Sequence, residues 1–366
     1  MMEKNRKIKY YSLKRIKEHN AQYNMVIGER SNGKTYAVLK EILENYFTNR
    51  SQGAIVRRWQ DDFKGKRALS MFAPLVSDGI VLKLSKGQYD RLDYRSGCWY
   101  PARYDADTDT IIRGDDPICW AFSLSAMEHD KSTSYPRITT ICFDEFLTRG
   151  YYLVDEFVLF MNVVSTIVRQ RTDVTIYMLG NTVNWTCPYF TEMGIKHIKD
   201  MKQGTIDIYE YGDSGLRVAV EYCQSIADSK KSNVYFAFDN PRLQMITSGA
   251  WEIALYPHLP IKYKPHNIKG IFFICFEDDT LQCEVIKVDK DRFIYIHRKT
   301  TPIHDYDNDV IYSLNNDYRI NHYQSLKKHR DKRSKVIAFL FSQNKVYYQD
   351  NEVGEIVRNY RQASDR

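Results

Sequence analysis

The chain has 366 residues, 43% of them apolar and 14% aromatic, which excludes a disordered chain and suits two domains with real cores. Its charge is 53 − 46 = +7 and uneven, with seven cations against two acids in residues 1–20 and ten against five in 321–366, so the basic ends point to an anionic partner such as nucleic acid. No apolar run approaches the roughly 18 residues of a membrane span, no apolar segment follows "MMEKNRKIKYY" as a secretory signal needs, and the seven cysteines show neither C-x-x-C nor zinc spacing, as expected of reduced cytosolic thiols.

In chain order, residues 8–20 read as a short basic helix. "YNMVI" (23–27) reads as a buried strand running into "GERSNGKT" (28–35). In "YAVLKEILENYF" (36–47) the apolar residues Val38, Leu39, Ile42, Leu43 and Phe47 recur at helical spacing. "GAIVRRW" (53–59) is a second strand, and "GIVLKL" (79–84) with 97–114 suggests a β-meander. "PICWAFSLS" (117–125), "RITTICF" (137–143) and "VTIYMLGN" (174–181) are further strands. Strands alternating with helices predict an α/β sheet. A helix is expected after "DNPRLQ" (239–244), and "HLPIKYKPHN" (258–267) reads as a boundary. "GIFFICF", "QCEVIKV" and "RFIYIHR" then predict three strands of a small α+β domain. The expected division is 1–225, a partly helical linker over 226–256, and 257–366.

Gly28-Glu-Arg-Ser-Asn-Gly33-Lys34-Thr35 fits G-x-x-x-x-G-K-[ST], the phosphate loop of nucleotide-binding proteins. Its glycines let successive backbone N–H groups turn toward phosphates, Lys34 supplies a point charge, and the Thr35 hydroxyl suits magnesium. Arg30 and Asn32 count with them as nucleotide-binding candidates. The expected cofactors are ATP and Mg2+.

Asp-Glu-Phe occurs twice, from Asp144 and from Asp155. A magnesium-binding Asp belongs at the end of a buried strand beside the phosphate-loop strand. Asp144 follows such a run. Asp155 and Glu156 instead precede Phe157, Phe160, Met161, Val164, Ile167 and Val168, a helical pattern over 157–171, where acids cap and oppose the helix dipole. Asp144 is therefore the metal candidate and Asp155 a helix cap. Glu145 then becomes a candidate general base for the attacking water. NTPases with that Glu place an extra strand between the loop strand and the metal strand, and "VTIYMLGN" supplies one, with Asn181 at its tip to sense the γ-phosphate. Arg57 and Arg58 sit at a strand end on the ligand edge. Arg169 and Arg171 close the helix that follows, and an Arg of this kind can act on a neighbouring subunit's phosphates.

The ordered set "VIGERSNGKTYA", "IVRRW", "KSTSYPRITTICFDEF", "VRQR", "LGNTVN" and "CPYF", over about residues 20–190, resembles the DNA packaging ATPases (encapsidation proteins) of small podovirus-type tailed phages. The resemblance implies an additional-strand P-loop fold and a pentamer-like ring on the capsid portal that drives double-stranded DNA into a preformed shell. It makes Lys34 and Thr35 the loop pair, Asp144 the magnesium acid, Glu145 the catalytic glutamate and Arg169 the trans-acting finger. Lys131 aligns with a basic residue at the subunit contact, and Arg57 or Arg58 with a second phosphate-facing position. It also implies a C-terminal domain like a degenerate RNase H-like nuclease. "FEDD" (276–279) follows the first strand of that region and keeps a residual metal site in question, although cleavage is not expected. A packaging RNA is a further partner it allows. The expected location is the host cytoplasm, transiently on the procapsid and not in the mature virion, with no membrane partner. "KKHRDKRSK" (327–335) suits a phosphate backbone. Two other functions compete: a helicase- or recombinase-like ATPase, and a non-catalytic nucleic-acid-binding portal adaptor with a relic loop.

Overall fold

The computed structural model describes residues 10–129, 133–224, 251, 254–328 and 331–364. The chain divides into two compact units, Met1–Glu252 and Ile253–Arg366. Most of the expected 226–256 linker, with its helix, lies outside the described residues.

In the first unit, α1 (Lys14–Lys17) is shorter than the expected basic helix. β1 (Tyr23–Gly28) is buried along its whole length. α2 (Lys34–Asn49) buries the stripe Val38, Leu39, Ile42, Leu43 and Tyr46. β2 (Gln52–Arg57) lies close beneath it: a Cβ on Gly53 would stand 2.5 Å from Ile42, so this approach needs glycine. α3 (Lys66–Ser70), α4 (Ala73–Ser77) and α5 (Ile80–Leu84) follow. The strand expected at 79–84 is thus a helix. Gly79 starts it at φ 68, and Val81 and Ser85 are buried while Leu82 and Lys83 are exposed, a helical rather than an alternating pattern.

β3 (Arg91–Arg95), β4 (Cys98–Asp105) and β5 (Thr110–Arg113) form the antiparallel meander. Then come β6 (Cys119–Ser123), β7 (Ile138–Asp144), α6 (Glu156–Val168), β8 (Thr175–Asn181), α7 (Pro188–Glu192), β9 (Thr205–Tyr211) and β10 (Leu216–Tyr222). Among the described residues the sheet order is β3-β4-β6-β2-β7-β8-β1-β10-β9, with β5 on β4. The run from β6 to β10 is parallel. Its central strands are covered on both faces, which is why they read as unbroken apolar runs. β8 lies between β7 and β1. Asn181 is in register with Gly28, and Asp144 with Leu179, so three strand ends meet at one edge, the edge that binds ligands in such sheets.

The second unit contains β11 (Ile268–Phe276), β12 (Asp279–Val288), β13 (Asp291–Arg298), β14 (Val310–Ser313), β15 (His322–Tyr323), α8 (Lys332–Ser342), β16 (Val346–Tyr348) and α9 (Asn351–Ser364). The sheet order is β15-β14-β11-β12-β13-β16. β11 to β13 form an antiparallel meander, and β14 runs parallel to β11. Val353, Ile356, Val357 and Tyr360 of α9 share a core with Phe272, Ile274 and Ile294.

Across β12 and β13, His297 Nε2 lies 3.5 Å from Glu284 Oε1. The bond to Glu284 raises the His297 pKa, and the same bond holds Glu284 below the usual carboxylate range. A raised His contributes stability fully present below about pH 6.5 and lost as pH rises through its folded value; a lowered Glu contributes above about pH 4.3 and loses it as pH falls. The pair therefore stabilises most between those limits. His297→Gln is expected to lower the urea midpoint more at pH 6 than at pH 9; equal losses at both would contradict the pairing.

Candidate active site

β1 delivers the Gly28–Thr35 loop to the sheet edge and α2 leads away from it. Gly33 turns at φ 94, the left-handed region open to glycine, and begins α2. Lys34 is buried. Its Nζ donates to the carbonyls of Gly28 (3.3 Å) and Glu29 (2.7 Å), to Asn32 Oδ1 (3.1 Å) and to Asn181 Oδ1 (3.4 Å). Thr35 Oγ1 donates to Asp144 Oδ1 at 3.0 Å. Loop, β7 tip and β8 tip thus converge on a cavity of about 590 Å³. Arg30, Asn32, Gly33, Lys34, Thr35, Arg57, Asp144, Glu145 and Asn181 all line it. Gly28 supports the loop through its carbonyl.

Arg57, at the end of β2, spans both acids: Nη2 donates to Asp144 Oδ2 (2.5 Å) and Nη1 to Glu145 Oε2 (2.9 Å). Burial disfavours the Arg57 charge, but Asp144 and then Glu145 outweigh it and raise the pKa. Glu145 itself turns the chain at φ 62. That conformation costs a non-glycine residue about 1–3 kcal/mol and is concentrated at functional sites. Its side chain stays 61% exposed.

The structure corrects the expectations for Arg58 and for the Asp155 cap, and leaves those for Arg169, Lys131 and "FEDD" as they were. Arg58, expected at a second phosphate-facing position, does not line this cavity. Its guanidinium pairs with Glu156 (Nε to Oε2 2.7 Å, Nη2 to Oε1 2.8 Å) and donates to the Phe146 carbonyl (2.9 Å). Burial opposes the Arg58 charge, and Glu156 more than offsets this. Asp155 occupies the position before α6 at φ 52 but makes no side-chain cap bond. Glu156 instead braces the turn that leads into α6, where its Oε2 accepts the Leu153 N–H at 2.7 Å. Tyr189 also donates to Glu156, at 2.9 Å. Arg169 is exposed at the end of α6 and donates to the Thr133 carbonyl (3.1 Å); it does not line the cavity. Lys131 lies outside the described residues. In the second unit "FEDD" occupies the β11–β12 turn, and Arg298 Nη1 donates to Asp279.

Sequence reasoning missed the far wall of the cavity. Asp62, Arg67, Ser70 and Met71 line it, from a stretch whose short helices carry no long periodic pattern. It also missed Tyr11, whose N–H donates to the Asn32 carbonyl (2.9 Å) and whose hydroxyl donates to Glu221 (2.8 Å). That pair straps the phosphate loop to β10. Arg171 satisfies the Ile167, Pro136 and Ile138 carbonyls, fastening the end of α6 to the entry of β7.

Residues 110–235 match the family described as Podovirus DNA encapsidation protein (Gp16). The chain is 29% identical over 175 residues to the DNA packaging protein of Bacillus phage B103, covering 47% of this chain and 48% of that protein. It is 25% identical over 190 residues to that of Bacillus phage phi29, covering 50% and 49%. The matched stretch thus spans about half the length of these curated relatives. The fold resembles "The Phi-28 gp11 DNA packaging Motor" (TM-score 0.52, 20% identity, 98% of each chain). It also resembles a chain of "The bacteriophage Phi-29 viral genome packaging motor assembly" (TM-score 0.55, 18% identity, 96% of each). In its sequence over part of its length, as in its mixed α/β fold, this chain is similar to the podovirus DNA encapsidation proteins.

Proposed function

We propose that the chain is an ATP-hydrolysing motor subunit that moves double-stranded viral DNA into a preformed capsid as part of a ring on the portal. The observation that carries this reading is the 3.0 Å contact between the Thr35 hydroxyl and Asp144, beside Lys34 and Glu145. A hydroxyl and a carboxylate are hard oxygen donors suited to Mg2+, which when bound neutralises phosphate charge. Lys34 and the start of α2 suit the phosphates. Glu145 accepts the proton of the attacking water, through Oε1, which Arg57 does not hold, or through Oε2 once Arg57 releases it. Asn181, already on Lys34, is placed to respond to the γ-phosphate. The exposure of Arg169 favours a role on a neighbouring subunit, with Lys131 assigned to the same contact by resemblance alone.

The position of β8 between β7 and β1 supports the additional-strand P-loop class. The strand order β13-β12-β11-β14-β15 supports an RNase H-like ancestry for the second unit. The turn position of "FEDD" and the Arg298 contact favour a unit that does not cleave. The relatives' names favour DNA packaging; a portal, a packaging RNA as an additional partner and action on the procapsid in the host cytoplasm rest on the family resemblance alone.

The test is ATP turnover with and without empty capsids and DNA. Turnover stimulated by the two together is expected; turnover indifferent to capsids would favour the helicase-like reading. Asp155→Asn is expected to leave turnover within about threefold, since the residue is exposed and outside the cavity. A loss as deep as that of Asp144→Asn would reverse the choice of acidic pair.

A further inference from the structure

The second unit carries a groove of about 570 Å³ lined by Lys287, Lys290, Arg292, Lys332, Lys335 and Lys345, with Val336, Phe339 and Leu340 as its apolar part. No carboxylate lines it. Among the described residues none of the six cations forms an ion pair with an acid. Phe339 is 60% exposed.

Three features make this concentration unfavourable for the isolated chain. Lys287 and Arg292 are directly opposite across the β12–β13 ladder, and like charges so placed repel. Of the two nearby acids, Asp291 adjoins Arg292 in the strand, so its side chain belongs to the other face, and Asp289, beside Lys290 in the turn, does not line the groove. Lys332 and Lys335 lie three apart on α8, again a like-charged neighbouring pair. The first turn of α8 has no acid, although the positive end of a helix disfavours cations. Asp331 precedes the helix, but its carboxylate accepts the Ser334 N–H at 2.7 Å. Two strands, a helix and the β16 approach therefore direct like charge into one concavity. An arrangement that costs stability at several independent places fits a polyanion that neutralises all of them together.

The groove's place in the fold separates it from the nuclease-like end. "FEDD" is in the β11–β12 turn, whereas Lys290 is in the β12–β13 turn at the opposite end of those antiparallel strands. Only Lys332 and Lys335 belong to the basic run picked out in the sequence. The other four come from separate elements.

We propose that this groove binds the phosphodiester backbone of a nucleic-acid duplex without reading its bases, with Phe339 as an apolar contact at its wall. Lys and Arg side chains in a concave track supply backbone contacts and no base code. The proposal rests on and deepens the DNA-motor reading, because it assigns a gripping surface to the second unit, whereas the candidate ATP site belongs to the first.

The test uses the full chain and the triple variant Lys287→Gln/Arg292→Gln/Lys335→Gln. Fluorescence anisotropy with 30-base-pair DNA and RNA duplexes, without nucleotide, is read across a salt series. ATP binding and turnover are measured in parallel. Each backbone contact contributes about 0.9 to the slope of log affinity against log salt for B-form DNA. Removing three cations should therefore flatten the DNA slope by about 2–3 and weaken low-salt binding at least about tenfold, with basal turnover unchanged. The duplex that shows the larger change identifies the ligand. Unchanged slope and affinity for both duplexes would overturn the groove, as would equal loss in a control triple variant Lys64→Gln/Lys66→Gln/Lys86→Gln. Failure of the motor reading shows separately, as absent ATP binding and turnover in the parent.

Discussion

Glu145→Gln is expected to retain ATP and to lose turnover by at least about 10²-fold, the lower range for removing a general base. The amide keeps the size of the side chain and its place beside Arg57, but cannot accept the water's proton. Nucleotide binding rests on other groups: Lys34, the loop amides, and the Thr35–Asp144 pair. Filter binding of labelled ATP and single-turnover phosphate release separate the two quantities. Hydrolysis equal to the parent would remove Glu145 from the mechanism. Lost binding would mean that Arg57, released from Glu145, disturbs Asp144. The Arg57 contacts to both carboxylates also make Arg57→Ala a check on the first result. It removes the cation that now holds Glu145 Oε2 and should leave Glu145 able to act while weakening the arrangement of Asp144.

The second large effect concerns stability. Arg58→Ala is expected to destabilise the chain by about 3–5 kcal/mol, the cost of leaving one partner of a buried ion pair alone. The side chains of Arg58 and Glu156 are only 7% and 0% exposed. Glu156 would then keep the Leu153 and Tyr189 bonds but lose its only described cation. The double variant Arg58→Met/Glu156→Leu should recover much of the loss, because two apolar groups of similar size leave no stranded charge. Chemical denaturation of the three proteins reads this directly. A single-variant loss below about 1 kcal/mol, the range of exposed pairs, would contradict the burial of the pair. If Arg58 instead touched phosphate, Arg58→Ala would weaken ATP affinity without lowering the denaturation midpoint.

Adjacent residues at one strand end explain both the reach and the failure of sequence reading here. Strand periodicity placed Arg57 and Arg58 together on the ligand edge, but successive side chains leave a strand on opposite faces. One therefore meets Asp144 and the other meets Glu156. Choosing between them needed knowledge of which face carries α6. The convergence of Lys34, Thr35, Asp144 and Asn181 was legible because each depends on the end of a buried strand, and long apolar runs announce those strands. The choice between the two Asp-Glu-Phe copies followed from the same contrast of period, strand before Asp144 and helix after Asp155. The detail at Asp155 did not follow, since a cap bond depends on a local backbone angle that composition does not fix. Residues 79–84 failed for another reason. A six-residue stretch with four apolar side chains fits a strand or a helix turn equally, and only the burial of Val81 with Ser85 distinguishes them. The pairing of β10 with β1 and the Tyr11 bond to Glu221 were illegible because their partners are far away in sequence.

The most direct test of the account is retention of manganese-ATP, followed by electron paramagnetic resonance of Mn2+ in place of Mg2+, in the parent, Asp144→Asn and Asp155→Asn. The account predicts that the parent and Asp155→Asn hold the ion with ATP and that Asp144→Asn releases it. Retention by Asp144→Asn together with release by Asp155→Asn, or no ATP-dependent retention in the parent, would contradict it.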